Sequence, residues 1–149
     1  MIFGQLLEPD TCSFTYLLSC TETGRTALID PVLDTVERDL KILDELGLKL
    51  DYTIETHMHA DHLTGAAALR DKNGCKVAYP GVETPECADL ALSEGEPFAI
   101  GTLQLHPIFA PGHTSHHYVY MLDNGTQKML FTGDVLLIDG CGRTDFQSG

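Results

Sequence analysis

The chain is 149 residues long and carries 9 Lys and Arg against 22 Asp and Glu, a formal charge of −13 with every His neutral. A surface this acidic argues against nucleic acid and anionic membranes as partners, because both recruit a basic footprint. Hydrophobic residues at 43% and charged residues at 21% match a folded domain with one buried core and not a disordered tail, so residues 1–149 read as one domain.

Ser13 to Ser19 sets Phe14, Tyr16 and Leu18 in alternation, Thr21-Glu22-Thr23-Gly24 supplies turn chemistry, and Thr26 to Ile29 reads as the partner, which predicts an opening hairpin. Asp30-Pro31 stops it. Apolar residues then fall at Leu33, Val36, Leu40, Leu43 and Leu46, the stripe of one helix face, with Gly47 as its C-cap. Asp51 to Thr56 reads as a short strand, Leu63 to Arg70 as an Ala-rich helix ending near Asn73-Gly74, and Lys76 to Tyr79 as a strand, together a βαβ unit. Gly81 to Glu96, with Pro85 and Gly95, reads as a loop around a short helix at Cys87 to Leu92. Thr102 to Phe109 is the next strand, broken by Pro111-Gly112. Tyr118 to Leu122 and Lys128 to Phe131 flank Asp123-Asn124-Gly125, a strong hairpin signal. The pattern is that of an α/β layered fold with mixed connections.

No run of about 18 apolar residues occurs, and Met1 to Leu18 lacks a basic start and carries Glu8 and Asp10, unlike a secretory signal. Five cysteines, an odd number without a Cys-x-x-Cys pair, fit reduced thiols better than a disulfide framework. An intracellular, cytoplasmic location is the expectation.

The histidines carry the functional signal, because six of the seven fall in two groups, His57/His59/His62 and His113/His116/His117. Thr56-His57-Met58-His59-Ala60-Asp61-His62 follows a strand and precedes a helix, so up to four imidazole and carboxylate donors sit on one loop, the pattern of a metal site. The plainer alternative is a polar loop with Asp61 capping the helix. Ala110-Pro111-Gly112-His113-Thr114 turns sharply after a strand and would aim His113 at the strand ends. Thr132-Gly133-Asp134 places a carboxylate just after another strand, Gly133 permitting close backbone approach. If these ends share one rim, His57, His113 and Asp134 make a site of two His and one carboxylate.

Taken in order, THMHADH, APGHT and FTGDVLL resemble the metal-ligand series of the metallo-β-lactamase superfamily, which implies an αββα sandwich with the site at one edge. Tyr16-Leu17-Leu18, Leu28-Ile29-Asp30-Pro31-Val32 and above all Gly142-Arg143-Thr144-Asp145-Phe146-Gln147 resemble the persulfide dioxygenase family within it. That resemblance implies one non-haem Fe(2+) per chain held by His57, His113 and Asp134, and oxidation of glutathione persulfide by O₂ and water to sulfite and glutathione. Two imidazoles and one carboxylate on one face of iron leave room for sulfur and O₂ side by side. His59, Asp61 and His62 would then orient ligands or waters. In a eukaryote the location implied is the mitochondrial matrix.

A glyoxalase II-like hydrolase reads the same residues as ligands of two zinc ions, with His57, His59 and His113 on one, Asp61, His62 and a further His on the other, and Asp134 bridging. No His follows His117 to complete that set. Superfamily members are usually longer, so the sandwich is expected to be truncated at its C-terminus, without its last strands, one helix layer and the residues that grip glutathione. An edge left open in this way would favour pairing with another chain, as in a homo-oligomer. Cys141 reads as a small buried residue, and Arg143 with Asp145 as a structural ion pair.

Overall fold

The structure is a computed structural model and describes residues 1–145; Phe146 and Gln147 of the Gly-Arg-Thr-Asp-Phe-Gln run lie outside the described residues. Strands β1 (Ile2–Glu8), β2 (Ser13–Ser19) and β3 (Arg25–Ile29) form an antiparallel meander. From β3 the chain crosses over through α1 (Val36–Glu45) to β4 (Lys49–Ile54), then through α2 (Ala66–Asn73) to β5 (Lys76–Pro80), and both pairings are parallel. β6 (Leu90–Leu92) completes a six-stranded sheet in the order β1-β2-β3-β4-β5-β6. β7 (Phe98–Ile100), β8 (Leu103–Phe109), β9 (Tyr118–Asp123) and β10 (Lys128–Phe131) form a second, antiparallel sheet in the order β10-β9-β8-β7. A two-stranded ribbon, β11 (Leu136–Leu137) with β12 (Gly140–Cys141), follows.

The period of two along the central strands dictates the layering, since successive side chains leave opposite faces of a strand. Leu18, Ala27, Ile29, Ile54 and Ala78 point toward the second sheet and pack with Ile100, Leu105, Tyr120, Leu122 and Phe131. Their neighbours Leu17, Leu28 and Leu50 point the other way and meet Val36 and Leu43 of α1 and Leu69 of α2. Strands buried on both faces need helices on one side and a sheet on the other, which yields helix layer, sheet, sheet: three layers of the expected sandwich. Among the described residues no helix lies against the outer face of the four-stranded sheet.

Several local expectations change. The helix expected from Leu33 opens with a 3₁₀ turn, Leu33–Thr35, before α1 begins. α2 starts at Ala66 with Gly65 at its N-cap, so Asp61 does not cap it, and it ends at Gly74 in the left-handed region, φ 76°. The helix expected at Cys87 to Leu92 does not form: Ala78 to Pro80 pair with Leu90 to Leu92 as parallel strands, and the Asp89 carboxylate accepts the Val77 amide at 2.8 Å. Edge pairing outweighed a weak local preference there. β1 is a strand that the hairpin reading did not include, and Cys141, expected buried, is exposed.

Candidate metal centre

The loops that leave the strands at one rim of the two sheets carry every group of the site. Asp30 follows β3, Glu55 to His62 follow β4, Ala110 to His117 join β8 to β9, and Thr132 to Asp134 follow β10. The loops are tied together by backbone bonds, Tyr118 N–H to Thr56 O at 2.8 Å and Ala110 N–H to His117 O at 2.9 Å. His57, His113 and Asp134 each bring one ligand atom to within 4.8 Å of the others, and His113 Nε2 stands 3.5 Å from Asp134 Oδ2. His57 is 1% exposed and the Asp134 side chain 44%, so the cluster is closed behind and open in front. His59, Asp61 and His62 form an adjoining cluster of the same kind, and Asp30, Glu55 and His59 a third.

The proton positions on the imidazoles follow from their partners. Thr56 Oγ1 lies 2.8 Å from Asp30 Oδ2 and 2.9 Å from His57 Nδ1. A carboxylate only accepts, so the single hydroxyl proton goes to Asp30, and the hydroxyl oxygen accepts from His57 Nδ1–H. His57 Nε2 therefore keeps its lone pair. His113 Nδ1 donates to the Arg143 carbonyl at 3.1 Å, and its Nε2 faces Asp134 Oδ2 at 3.5 Å. Outer hydrogen bonds of this kind fix the tautomer and direction of metal-binding imidazoles.

His59 Nε2 faces two buried carboxylates, Asp30 Oδ1 at 3.2 Å and Glu55 Oε2 at 3.3 Å. Burial alone would strip its proton, but the two carboxylates outweigh that and raise it well above the usual imidazole value. Asp30 is pushed up by burial, yet the charge and hydrogen bond of His59 bring it below the ordinary carboxylate value. His57 is pushed down to about 2 by burial, then by the charge of His59. It is a neutral donor at any working pH. Burial raises Asp134, with the His113 charge opposing it.

The glycines of the motifs have steric reasons. Gly133 has φ 47°, and a Cβ there would lie 2.5 Å from Thr56 Oγ1 and 2.7 Å from His117 Nε2, so only glycine lets the Asp134 turn close on the two loops. A Cβ on Gly142 would run into the Asp134 carbonyl and lie 3.0 Å from His113 Nδ1. That close pass delivers the Arg143 carbonyl to His113. The Arg143 guanidinium and Asp145 form a two-pronged ion pair, 2.7 Å and 3.0 Å, at the surface, as the sequence suggested.

In front of the cluster lies a cavity of about 740 Å³, with Asp61, His62, His113 and Asp134 on its polar side and Phe14, Tyr16, Leu136 and Ile138 on its apolar side. His62 Nδ1 is 3.2 Å from Asp61 Oδ2, while its Nε2 is buried without a protein partner. The sequence reading named His57, His59, Asp61, His62, His113 and Asp134, and the structure gathers all six at this rim. It gave no site role to Asp30, Glu55 or His117, which are buried at 5%, 0% and 0% exposure. The signal was the residue types themselves: two acids beside apolar strand residues and the last His of a cluster.

Two sheets face to face, helices on one outer side, and a His and Asp cluster at the strand ends define a metallo-β-lactamase-type sandwich. Residues 11–149 match the model of the Metallo-beta-lactamase superfamily, and the chain belongs to that superfamily. It is 45% identical over its whole length to "Persulfide dioxygenase ETHE1, mitochondrial" of Mus musculus, spanning 58% of that protein. The crystal structure of ETHE1 from Myxococcus xanthus superposes with a TM-score of 0.93 at 40% identity, covering 100% of this chain and 64% of that one. A hydroxyacylglutathione hydrolase of Nitrobacter winogradskyi is 36% identical over 89% of this chain and 51% of its own length. The chain thus spans just under three fifths of the length of the dioxygenase relative. No helix among the described residues is long and apolar enough to cross a membrane.

Proposed function

We propose that the chain carries the iron centre of a persulfide dioxygenase, with His57, His113 and Asp134 as its ligands and glutathione persulfide and O₂ as substrates. The observation that carries this reading is the convergence of two imidazoles and one carboxylate within 4.8 Å, joined to 45% identity with a persulfide dioxygenase along the whole chain. The donor set fits Fe(II): both imidazoles are held in place by hydrogen bonds at Nδ1, and two His with one carboxylate on one face is the ligand pattern of non-haem iron oxygenases. A bound Fe(II) would supply adjacent open positions for sulfur and O₂ and the electron transfer that O₂ needs to react.

The protein's own groups then have definite tasks. Asp30 acts through Thr56 to hold the His57 proton at Nδ1, and the Arg143 carbonyl does the same for His113. His59 is held at Nε2 by Asp30 and Glu55 at 3.2 Å and 3.3 Å, and a nitrogen engaged in this way is not offered to a second metal. In R–S–SH + O₂ + H₂O giving R–SH, sulfite and two protons, the terminal sulfur gains three oxygens and the S–S bond breaks. His62, held at Nδ1 by Asp61 at 3.2 Å, forms part of the cavity wall beside the ligand set. The apolar wall of Phe14, Tyr16 and Leu136 shields the sulfur from bulk solvent.

The hydrolase reading keeps one supporting observation, the second donor cluster of His59, Asp61 and His62. Metal analysis of anaerobically purified protein, followed by O₂ uptake with glutathione persulfide and by S-lactoylglutathione hydrolysis, separates the two. About one iron per chain with persulfide-dependent O₂ uptake is expected. Near two zinc per chain with thioester hydrolysis would overturn the proposal.

A further inference from the structure

We propose that His117 is a positioning residue which locks two of the metal ligands to each other, one through its lone pair and the other through its ring face. The inference rests on the reading of His57, His113 and Asp134 as the ligand set. His117 is wholly buried at the start of β9 and touches neither the cavity nor solvent. Its Nε2 accepts the backbone N–H of Asp134 at 3.2 Å, and its ring stacks on that of His57 with centroids 4.5 Å apart and planes 19° from parallel.

Each of these contacts answers a problem the ligands have. Asp134 sits on a half-buried turn with Gly133 at φ 47°, closed by the Val135 amide on the Thr132 carbonyl at 3.1 Å and by the Thr132 hydroxyl on the Leu136 carbonyl at 2.9 Å. None of those bonds involves the Asp134 amide, and the turn is pinned to the rest of the site where that amide meets His117. The same imidazole fills the space that forces residue 133 to be glycine, since a Cβ there would lie 2.7 Å from Nε2 and 2.8 Å from Cε1. On its other side the His57 ring is held at Nδ1 by Thr56 but needs a flat neighbour to stop rotation out of plane. His113 cannot serve, because it meets His57 edge-on at 87°. One side chain from the β8–β9 loop therefore couples a ligand after β4 to a ligand after β10.

The test compares two substitutions of similar size and polarity. His117→Gln places an amide oxygen where Nε2 stands, within reach of the Asp134 amide; His117→Asn places it where Nδ1 stands, out of reach. Co(II) serves as the probe, read by its visible absorption bands and by titration under anaerobic conditions. The expected result is that His117→Asn weakens Co(II) binding by about 10–100-fold, the usual effect of losing an outer-shell partner, and changes the absorption bands, whereas His117→Gln recovers most of the affinity. In metal-free protein, hydrogen exchange at the Asp134 amide should be fast in the Asn variant and slow in the wild type and the Gln variant. Equal binding by the two variants, or an Asp134 amide equally protected in both, would overturn the role of His117. The control is His113→Ala: if it binds Co(II) as the wild type does, the ligand set itself is wrong, an outcome distinct from a failure of the His117 inference.

Discussion

Replacing Thr56 with valine probes the link between the buried carboxylates and the site. Valine fills the same space but has no hydroxyl, so Asp30 Oδ2 loses a donor at 2.8 Å and His57 Nδ1–H loses an acceptor at 2.9 Å. The Thr56 N–H to Asp30 Oδ1 bond at 2.7 Å remains, so the carboxylate is only half released. A hydrogen bond to a charged group is worth roughly 1.5–3 kcal/mol and a buried donor left unpaired costs about 1–3 kcal/mol, which together predict a loss of about 2.5–6 kcal/mol. That is a large share of the roughly 5–15 kcal/mol that holds a domain folded. Urea unfolding of metal-free Thr56→Val against wild type measures it, and Thr56→Ser, which keeps the hydroxyl, should restore most of the loss. Metal affinity should fall as well, by about 10–100-fold, because His57 is free to take the wrong tautomer. If Thr56→Val unfolds at the wild-type midpoint and binds metal unchanged, the chain from Asp30 through Thr56 to His57 has no energetic meaning.

Gly133→Ala should be poorly tolerated, since its Cβ meets Thr56 Oγ1 at 2.5 Å in a backbone of φ 47°; crowding of this kind costs about 1–3 kcal/mol, and thermal melts together with metal titration would read both the loss and the displacement of Asp134. Glu8 accepts the Asp10 and Thr11 amides at 2.9 Å and 2.7 Å as well as the Thr11 hydroxyl, and these bonds, the Thr11 hydroxyl first, lower its pKa from 4.5. A lowered folded value means that its stabilisation is present above pH 4.5 and fades as pH falls through the folded value. Glu8→Gln should therefore be less stable than wild type at pH 7, with the gap closing in acid. Urea midpoints from pH 7 to pH 3 would show this, and a gap that stays constant with pH would contradict it.

Much of the site was legible in the sequence because its His and Asp side chains lie on short motifs beside turn residues. THMHADH, PGHT and TGD each place a His or Asp directly after a strand, and a strand that ends at a rim leaves its next side chain there. The α1 face and the β9–β10 hairpin were legible for a related reason, since their period and their Asn-Gly turn are local. β6 was not: three residues with no strong preference of their own became a strand because β5 offered an edge and Asp89 capped the pairing.

The sequence by itself determined the donor types, their order and the strand or turn that carries each one. Only the tertiary structure decided which of them meet. It set His57 beside His113 and Asp134 from three separate loops, turned His59 toward Asp30 and Glu55, and placed His117 between His57 and Asp134. The reason is physical: tautomer, burial and the direction of a lone pair depend on neighbours distant in the chain, and no spacing along the sequence encodes them.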